Sequence, residues 1–92
     1  MTFSKKYRMY IGHEDIHTIC KVCDTVLDGY TIYHGHGVWH GQRERCYIIK
    51  VVLTSGDIRT VGTMHIIAES LKKELKQESI LLTVQDVLSQ FI

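Results

Sequence analysis

Apolar residues recur at every second position in four stretches of the chain and at helical spacing in two. Tyr7 to Gly12 sets Tyr7, Met9 and Ile11 on one side and Arg8 and Tyr10 on the other, the alternation of a half-buried strand that Gly12 ends. From Glu14 to Leu27, Ile16, Ile19, Cys20, Cys23, Val26 and Leu27 return at helical spacing. Glu14 and Asp15 suit the positive end of that helix's dipole, and Gly29 follows as a terminator. Tyr30 to His34 predicts a second strand, with Tyr30 and Ile32 opposite Thr31 and Tyr33. Gly35 to Arg43 reads as a loop holding Gly35, Gly37, Gly41 and the only tryptophan. The longest strand, Glu44 to Thr54, turns Tyr47, Ile49, Val51 and Leu53 one way and Cys46, Ile48, Lys50 and Val52 the other. A strand apolar on both faces belongs at the centre of a sheet.

Ser55, Gly56 and Asp57 mark a turn, and Ile58 to Val61 is open to either reading. Thr63 to Lys76 is the clearest helix: Met64, Ile67, Ala68, Leu71 and Leu75 form its buried stripe, and Glu69 and Lys73 pair on the wet side. Ser79 to Gln85 predicts a fourth strand. The tail from Asp86 to Ile92 carries Val87, Leu88, Phe91 and Ile92 and is expected to dock on its own domain or on a neighbour.

Two helices, each with one apolar stripe, cover one face of a four-stranded antiparallel sheet. The expectation is an α+β, ferredoxin-like βαββαβ sandwich forming a single domain over residues 1–92. The uncovered face would present Tyr33, Ile48, Val52, Tyr10 or Met9, and Leu81 or Leu82, depending on register. Self-association through that face is the simplest way to bury it.

Composition narrows the function classes. A 92-residue chain that is 45% hydrophobic and 23% charged is an ordinary globular domain whose stability would gain from oligomerisation. Its formal net charge of +1 argues against nucleic acid as a partner. Met1 to Gly12 lacks the apolar core of a signal peptide, and no run of eighteen apolar residues occurs, so a soluble, cytoplasmic protein without membrane contact is expected. Cys20, Cys23 and Cys46 are expected as reduced thiols.

Candidate chemistry concentrates around the glycine-rich stretch. His34, His36 and His40 are of a metal-ligating type, but no carboxylate or thiol completes a local set, so polar loop contacts are preferred and no metal is expected. Cys20 and Cys23 spell CxxC on the apolar stripe inside a helix, away from the N-terminus that would stabilise a thiolate, and read as core cysteines. Glu44 stands where the glycines enter the long strand, flanked by Arg43 and Arg45. It is placed either to hold a substrate cation or take a proton, or to form a surface ion pair with an arginine. Tyr33, across the same connection, is either its partner at the loop mouth or part of an inter-subunit patch. Trp39 could stack on an adenine or cover a cation, or plug the loop onto the sheet. Gln77 to Ser79 either connects helix to strand or reaches the site from below.

Gly37, Trp39, Gly41, Glu44, Cys46 and Tyr47, with Tyr33 eleven residues before the glutamate, match a recurrent pattern of glycine, aromatic, glycine, glutamate at a strand start, small residue and aromatic. On these positions the chain resembles the bacteriophage-encoded S-adenosylmethionine lyases, historically called hydrolases. Trp39 stands where tyrosine is commoner in that family, and Cys46 where serine is commoner. The resemblance implies a PII-like, ferredoxin-type subunit in a homotrimer, with sites between subunits and no cofactor. The implied reaction forms methylthioadenosine and homoserine lactone from S-adenosylmethionine, the substrate's own carboxylate displacing the thioether. On this resemblance Glu44 and Tyr33 are the catalytic pair, and Trp39, Gly41, Arg43 and Gln77 contact substrate. The alternative is a PII-like regulatory module that binds a nucleotide or metal without turnover. A protein that inhibits a host enzyme by binding it is a third possibility.

Overall fold

The computed structural model describes residues 1–54 and 61–92. The expected turn at Ser55 to Asp57 lies outside the described residues, as does the stretch from Ile58 up to Val61, where a helix begins. The elements run β1 (Thr2–Ile11), α1 (Ile16–Asp24), β2 (Thr31–Trp39), β3 (Gln42–Thr54), α2 (Val61–Glu74) and β4 (Leu81–Ser89). The strands form one antiparallel sheet in the order β2-β3-β1-β4, which is the expected βαββαβ arrangement.

Period-two patterning decides which face each strand buries. Tyr7, Met9 and Ile11 of β1 and Ile49, Val51 and Leu53 of β3 are buried with Ile19 and Cys23 of α1 and Met64, Ile67 and Leu71 of α2. Met9, Ile11, Ile49 and Met64 are wholly inaccessible to solvent. Removing an aliphatic side chain of this size from water is worth about 1.5–3 kcal/mol. Neither α1 nor α2 covers the opposite sheet face.

Several features depart from the sequence expectations: α1 ends at Asp24 rather than Leu27, and Glu69 pairs with Lys72 at 3.5 Å rather than with Lys73. Hydrogen bonding across the sheet starts β1 at Thr2, five residues before its apolar alternation becomes legible. The glycine segment is strand: Gly35 pairs with Cys46 and Gly37 with Glu44, so β2 and β3 form a continuous ribbon to Trp39 and Gln42. The tail's Val87 and Leu88 extend β4, whereas Phe91 and Ile92 are fully exposed and do not dock on their own domain.

Local chemistry explains the helix ends. Asp15 caps α1: its Oδ1 accepts from the Thr18 backbone N–H at 3.0 Å and its Oδ2 from Thr18 Oγ1 at 2.7 Å. These bonds, the side-chain one foremost, hold the Asp15 carboxyl below its ordinary pKa. Beyond α2, Gln77 N–H donates to the Lys72 carbonyl at 2.9 Å and Lys76 N–H to that of Lys73 at 3.3 Å, a Schellman closure. Lys76 therefore adopts φ 54°, a conformation usually left to glycine. Lys76→Gly is expected to raise stability by about 0.5–1 kcal/mol, read as a higher Tm. Because folding lowers the Asp15 pKa, the cap stabilises at neutral pH, and its contribution is lost as pH falls through the depressed folded-state value. Asp15→Ala should melt below wild type at pH 7, and the two melting temperatures should converge in strong acid.

Candidate functional site

The ribbon made by β2 and β3 runs past the end of β1, whose last partner on β3 is Tyr47. Rows from Gly35 and Cys46 outward therefore have no third strand beside them. The reversal is made by His40 and Gly41, at φ 51° and φ 76°. Two successive residues in the left-handed region are what a two-residue type I′ hairpin demands. Histidine tolerates that region better than most side chains, and Gly41 occupies it without strain. The Trp39 and His40 rings meet edge-on at 4.8 Å, at the tip.

Strand pairing sorts the candidate residues onto two faces. Tyr33, Gly35, Gly37 and Trp39 share the uncovered face with their partners Ile48, Cys46, Glu44 and Gln42. The result is a track with an aromatic ring at each end, a glycine floor between, and a carboxylate and a thiol along one side. Glu44 lies close over this floor. A β-carbon built on Gly12 would stand 2.6 Å from Glu44 Oε1, and one built on Gly37 would stand 3.9 Å from Glu44 Cγ. The absence of a side chain at Gly12 thus makes the space that the carboxylate occupies, whereas a β-carbon at Gly37 would stand at ordinary van der Waals distance from the Glu44 stem. Tyr33 pairs with Ile48, four residues from Glu44, so Tyr33 and Glu44 sit about 13 Å apart along the strand and flank the floor without touching.

The other ribbon face is cationic. Arg43 pairs with Val38, Arg45 with His36, and Tyr47 with His34, whose ring meets that of Tyr47 edge-on at 6.3 Å. Arg43 therefore points away from Glu44, and no ion pair joins Glu44 to Arg43 or Arg45 among the described residues. His34 and His36 share this face while His40 lies in the turn, and no cluster of three ligating side chains occurs among the described residues. Gln77 is fixed by the α2 closure on the helix side of the sheet and makes no described contact with the ribbon.

The remaining cysteine motif belongs to the core. Cys23 is fully buried, and burial pushes its thiol up to about 12, so it is not a thiolate at neutral pH. Cys20 borders a shallow cleft of about 530 Å³ on α1, lined also by Ile16, His17, Lys21 and Asp24. Tyr30 donates from its hydroxyl to Oδ1 of Asp24, one of the lining residues, at 2.7 Å. Burial and that bond hold the Tyr30 phenol well above its ordinary value. This cleft lies away from Glu44 and carries no feature of the ribbon site. Gly12 is the residue that sequence reasoning missed. Its only signal is a glycine closing a strand, and its role emerges once β1 is laid beside β3.

The fold is of the PII-like, ferredoxin type. No family model and no curated protein matches the chain. Among solved structures, a phage SAM lyase in complex with S-methyl-5'-thioadenosine superposes with a TM-score of 0.73 at 16% identity, over 90% of this chain and 81% of that one. CPII, a nitrogen regulatory PII-like protein from Thiomonas intermedia K12 bound to ADP, AMP and bicarbonate, superposes with a TM-score of 0.65 at 15% identity, over 98% and 97% of the two chains. CutA from Synechococcus elongatus PCC7942, complexed with Bis-Tris, gives 0.59 at 10% identity, over 92% and 80%. At these identities the similarity establishes the fold. Among the described residues no helix is long and apolar enough to cross a membrane.

Gly12→Ala is the sharpest structural test of the site. A methyl at 2.6 Å from Oε1 must displace the Glu44 carboxylate, whereas the site lies outside the core. Expected is a crystal structure with Glu44 in a new rotamer and a Tm lowered by only a few degrees, the effect of about 1 kcal/mol in a domain of this size.

Proposed function

We propose that the protein cleaves S-adenosylmethionine to methylthioadenosine and homoserine lactone. The observation that carries this reading is the placement of the Glu44 carboxylate in the space left by Gly12, beside its strand partner Gly37 and on one face with Tyr33 and Trp39. A carboxylate with no arginine partner among the described residues, beside a surface that lets a ligand approach the backbone, suits a substrate carrying ammonium and sulfonium charges. Trp39 offers a ring face to adenine or to the sulfonium. The lyase among the similar solved structures, with its bound thioadenosine, supports the same reading.

In the reaction, the substrate's carboxylate oxygen forms a bond to its own γ-carbon as the bond from that carbon to sulfur breaks. The bonding pair goes to sulfur, which leaves as a neutral thioether, and the lactone retains the α-ammonium group. No external proton acceptor, metal or cofactor is required. The protein's contribution is to fold the substrate into a reactive conformer and exclude water. Glu44 holds the ammonium and Tyr33 orients the methionine portion. Gly41 forms the turn, and Arg43 and Gln77 serve from a neighbouring copy, since within one chain both lie off the Glu44 face. Trp39 is 73% exposed and Tyr33 41% exposed on one chain, so enclosing the substrate requires a second copy over the uncovered face, in the homotrimer that the resemblance implies.

Incubation with S-adenosylmethionine is expected to yield methylthioadenosine and homoserine lactone in equal amounts, followed by chromatography. Glu44→Gln should lower kcat/KM about 100-fold, the effect of losing one charge-assisted contact of about 2–3 kcal/mol, with Tm unchanged. Absence of product from a folded, oligomeric sample would sink the lyase assignment. The second reading, a regulatory module that binds a nucleotide without turnover, draws on the ribbon face where Arg43 and Arg45 stand with His34 and His36. The likeness to CPII over nearly the whole of both chains favours it too. Calorimetric titration with ATP or ADP, giving saturable heat without product, would favour that module.

A further inference from the structure

The uncovered sheet face carries charge that no ion pair balances among the described residues. Lys6 and Arg8 alternate with the core residues Tyr7 and Met9 and so project from this face, and Lys50 stands directly opposite Arg8 on the neighbouring strand. All three are half-buried. None forms an ion pair among the described residues, and the Arg8 Nε is buried without a hydrogen-bond partner. The other strand positions on this face are neutral except Glu44, six residues from Lys50 and hence about 20 Å away. Like charges directly opposite across a strand pair repel, and partial burial weakens their screening by salt. A buried guanidinium N–H without an acceptor adds a second unfavourable feature in the same place.

We propose that Lys6, Arg8 and Lys50 form an oxyanion site of the phosphate class, and that filling it lets the uncovered faces of separate copies close on one another. The coupling to assembly rests on the reading that this face is the self-association surface. Bringing such faces together strips water from every cluster at once, which opposes assembly unless a counter-charge enters. A tetrahedral oxyanion directs three oxygens at the sheet, enough for the guanidinium fork and two ammonium groups, whereas a carboxylate directs only two. Free phosphate and the phosphate of a small nucleotide share this chemistry.

Sedimentation equilibrium and thermal melting in sodium phosphate, against sodium chloride at matched ionic strength, test the proposal. Wild type is expected to self-associate at least tenfold more tightly in phosphate, and to melt about 5–10 °C higher at a phosphate concentration ten times its dissociation constant. Lys50→Gln should melt above wild type in chloride, because a repulsion is gone, and should lose most of the phosphate response. Lys6→Gln should weaken that response while leaving the fold intact. Titrating AMP in chloride separates the two sources: an AMP response equal to that of phosphate supports a site for the phosphate group alone. A phosphate effect that Lys50→Gln retains in full is general salting-out and overturns the site. Equal association of wild type in both salts also overturns it, but leaves the self-association reading intact. A monomer in both salts removes that reading and the coupling with it. Single-stranded oligouridylate that binds this face and separates the copies would replace the counter-ion with a nucleic-acid partner and overturn the proposal.

Discussion

Two helices can cover only one face of a four-stranded sheet, and this constraint governs the rest of the molecule. The covered face holds the core: Met9 and Ile11, Ile49 and Val51 interlock with Ile19, Met64 and Leu71. The sheet leaves its second face to solvent, yet Ile48 on that face is 6% exposed, sheltered by its neighbours on the strands. Apolar, aromatic and charged groups on one uncovered surface give it more to do than remain wet. The candidate site and the oxyanion cluster both lie on it.

Within that face the strands set out chemistry along their length. At the free end of the ribbon stand Trp39 and Glu44 over bare backbone, and toward the body of the sheet come Tyr33 and then Arg8 and Lys50. The carboxylate is thus separated from the cations by about 20 Å and cannot be neutralised by them within one chain. The ribbon's reverse side repeats the theme, since Arg43 and Arg45 face away from the acid that they flank in sequence. Neighbours in sequence become strangers in space because a strand alternates its side chains, and that alternation keeps Glu44 apart from Arg43 and Arg45.

Sequence patterning reached the strand and helix order, the phase of β1, β3 and both helices, and the burial of Cys23, because each depends on local periodicity. It stopped at His34 because glycine is read as a breaker, whereas here β3 supplies the hydrogen bonds that hold Gly35 and Gly37 extended. The left-handed residues His40 and Lys76 escaped because neither is the glycine or asparagine that signals such a turn. Glu44, Tyr33 and Trp39 were singled out in the sequence through a resemblance to a known family, but their common face was not legible there. Gly12 was invisible as a site residue because its role is to leave room, and room has no signature in a single chain segment.

From its residues alone this chain determined which positions prefer water and which avoid it, since that preference belongs to each side chain and its neighbours two to four places away. Tertiary structure decided everything that depends on pairing distant strands. It carried the ribbon beyond β1, set the Glu44 carboxylate over Gly12, turned Arg43 to the reverse side, and placed Lys50 against Arg8. Each of these requires a register between segments more than thirty residues apart, or a hairpin whose alternation only the sheet imposes, and shifting either by one residue would exchange the two faces.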